Sequence, residues 1–109
     1  MNETDRIIQA ITAIGGIQSV TRGWPKQTAQ LPCAALQLLE RSAADTRDND
    51  VYLTRSRYLL RIFGQTLAAC DALKGEITAA MEALHYTLER VQETDGETAQ
   101  LRMTFEKLE

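Results

Sequence analysis

Three arginines stand out as candidates for chemistry: Arg55, Arg57 and Arg61, within the run DVYLTRSRYLLRIFG from Asp50 to Gly64. Guanidinium groups present rigid forks of donors to carboxylates and phosphates, so a row of them marks a contact surface. The run alternates with a period of two. Tyr52, Thr54, Ser56, Tyr58, Leu60 and Ile62 point one way; Val51, Leu53, Arg55, Arg57, Leu59, Arg61 and Phe63 point the other. Alternate side chains of a strand lie on opposite faces, so the pattern predicts one long central β-strand. A helix would scatter the arginines around its cylinder.

Other reactive side chains fall in no catalytic pattern. His85 is the sole histidine, and no serine or cysteine nucleophile stands beside it. It is read as a helix-end residue. Cys33 and Cys70 sit singly in apolar surroundings, outside any CxxC pair, and read as buried thiols of a reducing compartment. Zinc needs about four clustered ligands, and these residues do not supply them. Asp45, Asp48, Asn49 and Asp50 lack the spacing, glycine and closing glutamate of a calcium loop, so they read as a solvated connection. No GxSxG, P-loop, HExxH or GxGxxG occurs. The expectation is a protein without catalytic residues, bound metal or cofactor.

The 109 residues suggest a single domain spanning 1–109. A hydrophobic share of 44%, a charged share of 25% and a net charge of −3 suit a globular protein and supply no bulk attraction to nucleic acid. No apolar run approaches the roughly 20 residues of a membrane span. The opening MNETDRIIQA has no basic stretch ahead of an apolar one, so no secretory leader is expected.

The elements that must position the arginines follow in order. Ile7, Ile11 and Ile14 predict a helix over Thr4–Ile14, with Asn2 or Thr4 as N-cap and Gly15-Gly16 as its stop. Ile17–Arg22 reads as a first strand, followed by a loop over Gly23–Pro32. Trp24 in that loop is either a lid on the core edge or an interface anchor. Cys33–Arg41 reads as a strand apolar on both faces, and Ser42–Asn49 as a polar connection whose length lets the flanking hairpin project. Leu67, Cys70, Leu73, Ile77, Met81 and Leu84 predict an amphipathic helix over Thr66–Leu84.

Asp95-Gly96 signals a type I′ turn between two alternating runs. A two-residue loop pairs Thr94 with Glu97. It sets Leu88 against Met103, Tyr86 against Phe105, Arg90 against Leu101, Thr87 against Thr104 and Glu89 against Arg102.

The resulting order, αβββαββ, implies an α+β domain with two helices on one face of a mainly antiparallel sheet of about five strands. The helices can use only the Tyr58, Leu60 and Ile62 side of the central strand. The opposite side then requires a partner from outside the fold, and Arg57→Glu should impair assembly while leaving the monomer folded. The candidate contact residues are Trp24, Leu53, Arg55, Arg57, Leu59 and Arg61.

In its order of elements and several phrases the chain resembles the tail terminators, the small tail-completion and head-tail joining proteins of long-tailed bacteriophages and prophages. An opening helix IIQAITAI runs into GIQSV, and a loop ends in LPCAALQL. Then come RDNDVYLTRSRYLLRIFG, a helix with ALKGEITAAMEAL, and YTLERVQETDGETAQLRMTFE. The resemblance spans almost the whole chain. It implies a non-enzymatic ring, usually a hexamer, at the head-proximal end of the tail tube. Such a ring ends tube polymerisation, meets the head-completion or connector protein, and lets DNA pass through its lumen without specific binding. It implies residence in the virion tail after assembly in the bacterial cytoplasm. It also makes the arginine face and projecting hairpin subunit or tube contacts.

Two alternatives accompany this reading. A small nucleic-acid-binding module would use the arginines with Tyr52 and Tyr58, but those tyrosines fall on the opposite face, where they cannot build a shared stacking platform. An enzyme whose site forms only between subunits is the other.

Overall fold

The computed structural model describes residues 2–25, 30–47, 50–95 and 98–109, and over 44–47 and 50–52 the backbone alone. Two helices and five strands follow the predicted order: α1 (Glu3–Thr12), β1 (Ser19–Arg22), β2 (Cys33–Arg47), β3 (Asp50–Gly64), α2 (Leu67–Ala83), β4 (Thr87–Thr94) and β5 (Ala99–Leu108). The sheet runs β1-β2-β3-β5-β4, with β1 parallel to β2 and every other pairing antiparallel. The predicted α+β layout is therefore the observed one.

Local chemistry sets the helix ends. The Asn2 side chain accepts a hydrogen bond from the Asp5 N–H at 2.8 Å, which caps α1. Thr66 does the same for α2 through the Ala69 N–H at 3.1 Å. At the far end of α2 the His85 N–H donates to the Glu82 carbonyl at 2.9 Å and the Tyr86 N–H to the Met81 carbonyl at 3.0 Å. This double closure is a Schellman motif, with His85 in the left-handed position at φ 71°. Its helix-end role is thus carried by its backbone. Glycine reaches that conformation without a Cβ penalty, so His85→Gly is expected to stabilise the domain by about 0.5–1 kcal/mol, read from urea denaturation midpoints.

Both helices pack on one face of the sheet. Ile7 and Ile11 of α1 join Cys70, Leu73, Ile77 and Met81 of α2 above Tyr58, Leu60 and Ile62 of β3 and Leu101, Met103 and Phe105 of β5. Tyr58 is fully buried, and its hydroxyl is met by Thr4 Oγ1 at 3.1 Å and by the Arg41 guanidinium at 3.3 Å. The ring of Tyr86 stands edge-on to it, with centroids 5.8 Å apart. Gly64 ends β3 where α2 begins, and a Cβ there would lie 2.8 Å from Cys70 Sγ. Gly64→Ala is accordingly expected to cost about 1–3 kcal/mol in thermal or urea unfolding.

Two local expectations are corrected. Residues 42–47 continue β2 instead of forming a connection, and Arg47 pairs with Asp50. Asp48 and Asn49 lie outside the described residues. β5 stops pairing with β3 at Arg55, apart from the backbone hydrogen bonds of Glu109 with Thr54, so β2 and β3 continue beyond it as a two-stranded arm, in which a polar run can stay extended. Register shifts disturb the pairing of β2 with β3, one between Leu38 and Glu40 where β5 still flanks β3, and two in the arm, between Ala43 and Asp45 and between Asp45 and Thr46. The molecule measures 51 × 26 × 24 Å, and its radius of gyration of 14.7 Å exceeds the roughly 13 Å of a compact chain near this length.

The C-terminal hairpin also departs from its predicted register. Val91 pairs with Met103, Leu88 with Phe105 and Thr94 with Gln100, while Tyr86 precedes β4. The predicted pairing placed Val91 on the solvent side. A bulge between Leu88 and Arg90 adds one residue, so Leu88 and Val91, three apart, both reach the helices. The expected pair Thr94–Glu97 is replaced by Thr94–Gln100, and the predicted turn at Asp95-Gly96 includes a residue outside those described.

Candidate assembly surface

Alternation along β3 and β5 decides which side chains leave the core. Odd-numbered β3 residues from Leu53 to Phe63 and even-numbered β5 residues from Gln100 to Leu108 lie on the face away from the helices. Leu53, Arg55, Arg57, Leu59 and Arg61 therefore share the open face, as predicted, and Trp24 joins them at one end. Leu59 is nonetheless buried, at 6% exposure, beneath the long side chains around it.

The arginines are not equivalent. Arg57 makes a bidentate contact with Glu89, Nε to Oε2 at 3.1 Å and Nη2 to Oε1 at 2.9 Å, and lies 3.6 Å from Glu40 on its other side. The hydrogen bonds and charge of Glu89 hold its pKa above the usual arginine value. Arg55 Nε lies 2.7 Å from Glu106 Oε1, an ion-pair distance at which the N–H does not point along a hydrogen-bonding direction. The expectation that this whole side needs an external partner is thus corrected for two of its three arginines. The carboxylates come from β2, β4 and β5, strands whose register the sequence pattern did not supply. Arg57→Glu would set a third carboxylate beside Glu40 and Glu89, so it disturbs the monomer as well as any contact.

Arg61 differs. It donates to Gln37 Oε1 at 2.9 Å and stands directly opposite Arg102 of β5. Among the described residues, neither Arg61 nor Arg102 has a carboxylate within ion-pair distance. Burial, reinforced by the charge of Arg102, pulls the Arg61 guanidinium below its ordinary pKa. Arg102 Nε is buried without a hydrogen-bond partner.

Trp24 lies over the same end of the sheet. Its indole is tilted against Phe63 with centroids 6.2 Å apart, and the Arg61 guanidinium carbon sits 4.5 Å from its ring centroid. The ring is 67% exposed, so it is not a lid over the core. The open face is therefore divided: a charge-paired end around Arg55 and Arg57, and an aromatic, cationic end around Trp24, Phe63, Arg61 and Arg102. Sequence reasoning missed Arg102 because its misplaced hairpin register set Glu89 opposite it.

The remaining reactive groups lie elsewhere. Cys33 and Cys70 are free and buried, and burial raises both thiol pKa values. Among the described residues no three His, Cys, Asp or Glu side chains converge as a metal site. Among the described residues no helix is long and apolar enough to cross a membrane. Tyr58 faces the helices, and the side chain of Tyr52 lies outside the description. No protein-family model matches the chain, and no curated protein matches its sequence.

Proposed function

We propose that the chain is a structural subunit of a phage or prophage tail, a tail terminator that assembles as a ring on the head-proximal end of the tail tube. In this reading it ends tube growth and presents a surface to the head-completion protein, and DNA passes through the ring without specific contact. The observation that carries the proposal is the one-sided architecture. Both helices cover one sheet face, while the other displays an exposed tryptophan beside Phe63 and Arg61, and a two-stranded arm extends past β5. A mixed apolar and arginine surface of this kind suits a protein contact. The resemblance of almost the whole chain to tail terminators supplies the particular assembly.

The test is polymerisation of the tail tube protein with and without the purified chain. Rings whose mass is a multiple of 12.2 kDa, seated on one end of tubes of limited length, are the expected result. A chain that stays monomeric beside tube protein and leaves tube length unchanged would overturn the reading.

A further inference from the structure

The uncompensated end of the open face identifies a docking surface and its occupant. Arg55 and Arg57 both have carboxylates from neighbouring strands of the same chain. Arg61 and Arg102, on the same two strands, stand side by side without one among the described residues. Like charges directly opposite one another destabilise a strand pair, and partial burial weakens the solvent screening that would relieve them. An acidic group placed between them would remove that repulsion. The exposed indole beside them supplies the apolar part of the contact, and Trp and Arg together are the residues most enriched at binding hot spots.

The chain itself carries a complementary surface. The outer face of α2 exposes Asp71 and Glu76, neither of which forms an ion pair among the described residues. Between them on that face lie Ala72 and Gly75, both exposed, and nothing stands within 4 Å of the position a Cβ would take at Gly75. The two acids thus flank a strip of small residues with room for an indole. We propose that a second copy of this chain docks the outer face of α2 onto Trp24, Arg61 and Arg102.

The two surfaces lie on opposite sides of the domain, because α2 covers the sheet face turned away from Arg61. A contact between unlike surfaces is head-to-tail, and repeated copies of it either close into a ring or extend as a filament. This inference rests on the ring reading above and assigns the subunit contact within it.

Charge exchange tests it in the 109-residue chain. Sedimentation velocity at rising concentration is measured for the wild type, for Arg61→Glu/Arg102→Glu, and for Asp71→Lys/Glu76→Lys, with circular dichroism confirming that each is folded. The wild type should sediment as a multiple of 12.2 kDa, each variant alone as a monomer, and an equimolar mixture of the two variants as the multimer again. Raising the salt should weaken the assembly. Trp24 is the only tryptophan, so its emission should shift to the blue on assembly.

A wild type that remains monomeric overturns the inference. So do variants that assemble normally, a mixture that stays dissociated, or tryptophan emission unchanged in the multimer. Salt-sensitive binding of a single-stranded oligonucleotide that is lost in Arg61→Glu/Arg102→Glu, with self-association unaffected, would reassign the cluster to nucleic acid. Normal assembly of the variants with tube length still limited would remove this contact and leave the terminator reading intact. Wild-type rings that fail to limit tube length would do the opposite.

Discussion

Phe105→Ala is expected to destabilise the domain by about 3–5 kcal/mol, the range for deleting a fully buried aromatic side chain. Phe105 has no exposed surface and lies in the middle of β5, opposite Tyr58 on one side and Leu88 on the other. Tyr58 is held by hydrogen bonds with Thr4 and Arg41, which restrains it from moving into the space. A domain of this size has total stability of about 5–15 kcal/mol, so the variant would approach the unfolding threshold. Urea denaturation followed by far-ultraviolet circular dichroism measures the loss directly. Trp24 fluorescence is a poor probe here, since the ring is already largely in solvent. A loss below about 1 kcal/mol would mean that β5 does not carry the core as described.

The second large effect is electrostatic. Lys107 is almost buried, at 8% exposure, and its ammonium lies 3.5 Å from Glu3 and 3.0 Å from Glu109. Glu3 Oε1 also accepts from the Tyr86 hydroxyl at 2.9 Å. Burial alone would raise the Glu3 pKa, but the Tyr86 hydrogen bond and the charges of Lys107 and Arg6 together bring it below the ordinary value. Tyr86 is displaced upward, chiefly by burial and then by Glu3.

Glu3→Ala removes a charged acceptor from a phenol and an ammonium together, and is expected to cost about 1.5–3 kcal/mol. Glu3→Gln keeps an acceptor for Tyr86 and should cost less. The pH dependence follows from the direction of each shift. With its folded pKa depressed, Glu3 contributes fully above its unfolded value of 4.5, and that contribution is lost as pH falls through the folded value. With its folded pKa raised, Tyr86 contributes below its unfolded value of 10.0, and stability falls as pH rises beyond it. Thermal unfolding across pH should therefore show an acid limb that flattens in Glu3→Gln and an alkaline limb that becomes shallower in Tyr86→Phe, the buried thiols of Cys33 and Cys70 supplying the rest. Unchanged limbs in both variants would dissociate these groups from the pH response.

Much of this fold could be read before its coordinates. The isoleucine spacing of α1, the apolar stripe of α2 and the alternation of β3 are strong periodic signals, and they fixed element type, order and the side of the sheet that faces the helices. Pairing was harder. The expected two-residue turn paired Thr94 with Glu97, whereas Thr94 lies opposite Gln100, so Val91 falls on the other side and Arg102 beside Gln92, and a bulge that leaves no mark in composition then resets Leu88. The polar run over 42–47 resembled a loop because turns and solvated strands draw on the same residues. The candidate site divided in the same way. Its face was legible from β3 alone, whereas the neutralisation of Arg55 and Arg57 depends on side chains from three other strands. The approach of Trp24 to Arg61 depends on how a loop folds over the sheet.

The short first strand has one more consequence. β1 covers only Cys33–Leu36, so among the described residues the outer rim of β2 from Gln37 to Arg47 meets no other strand. A long bare rim of backbone donors and acceptors invites indiscriminate fibre growth, which is a hazard for a protein proposed to stack in ordered numbers. The irregularities at Leu39 and Ala44 interrupt that template. Between them only Glu40–Ala43 keeps an even spacing, too brief a foothold for a foreign chain to zip along. These irregularities therefore act as a safeguard, leaving adhesion to side chains that can choose their partner.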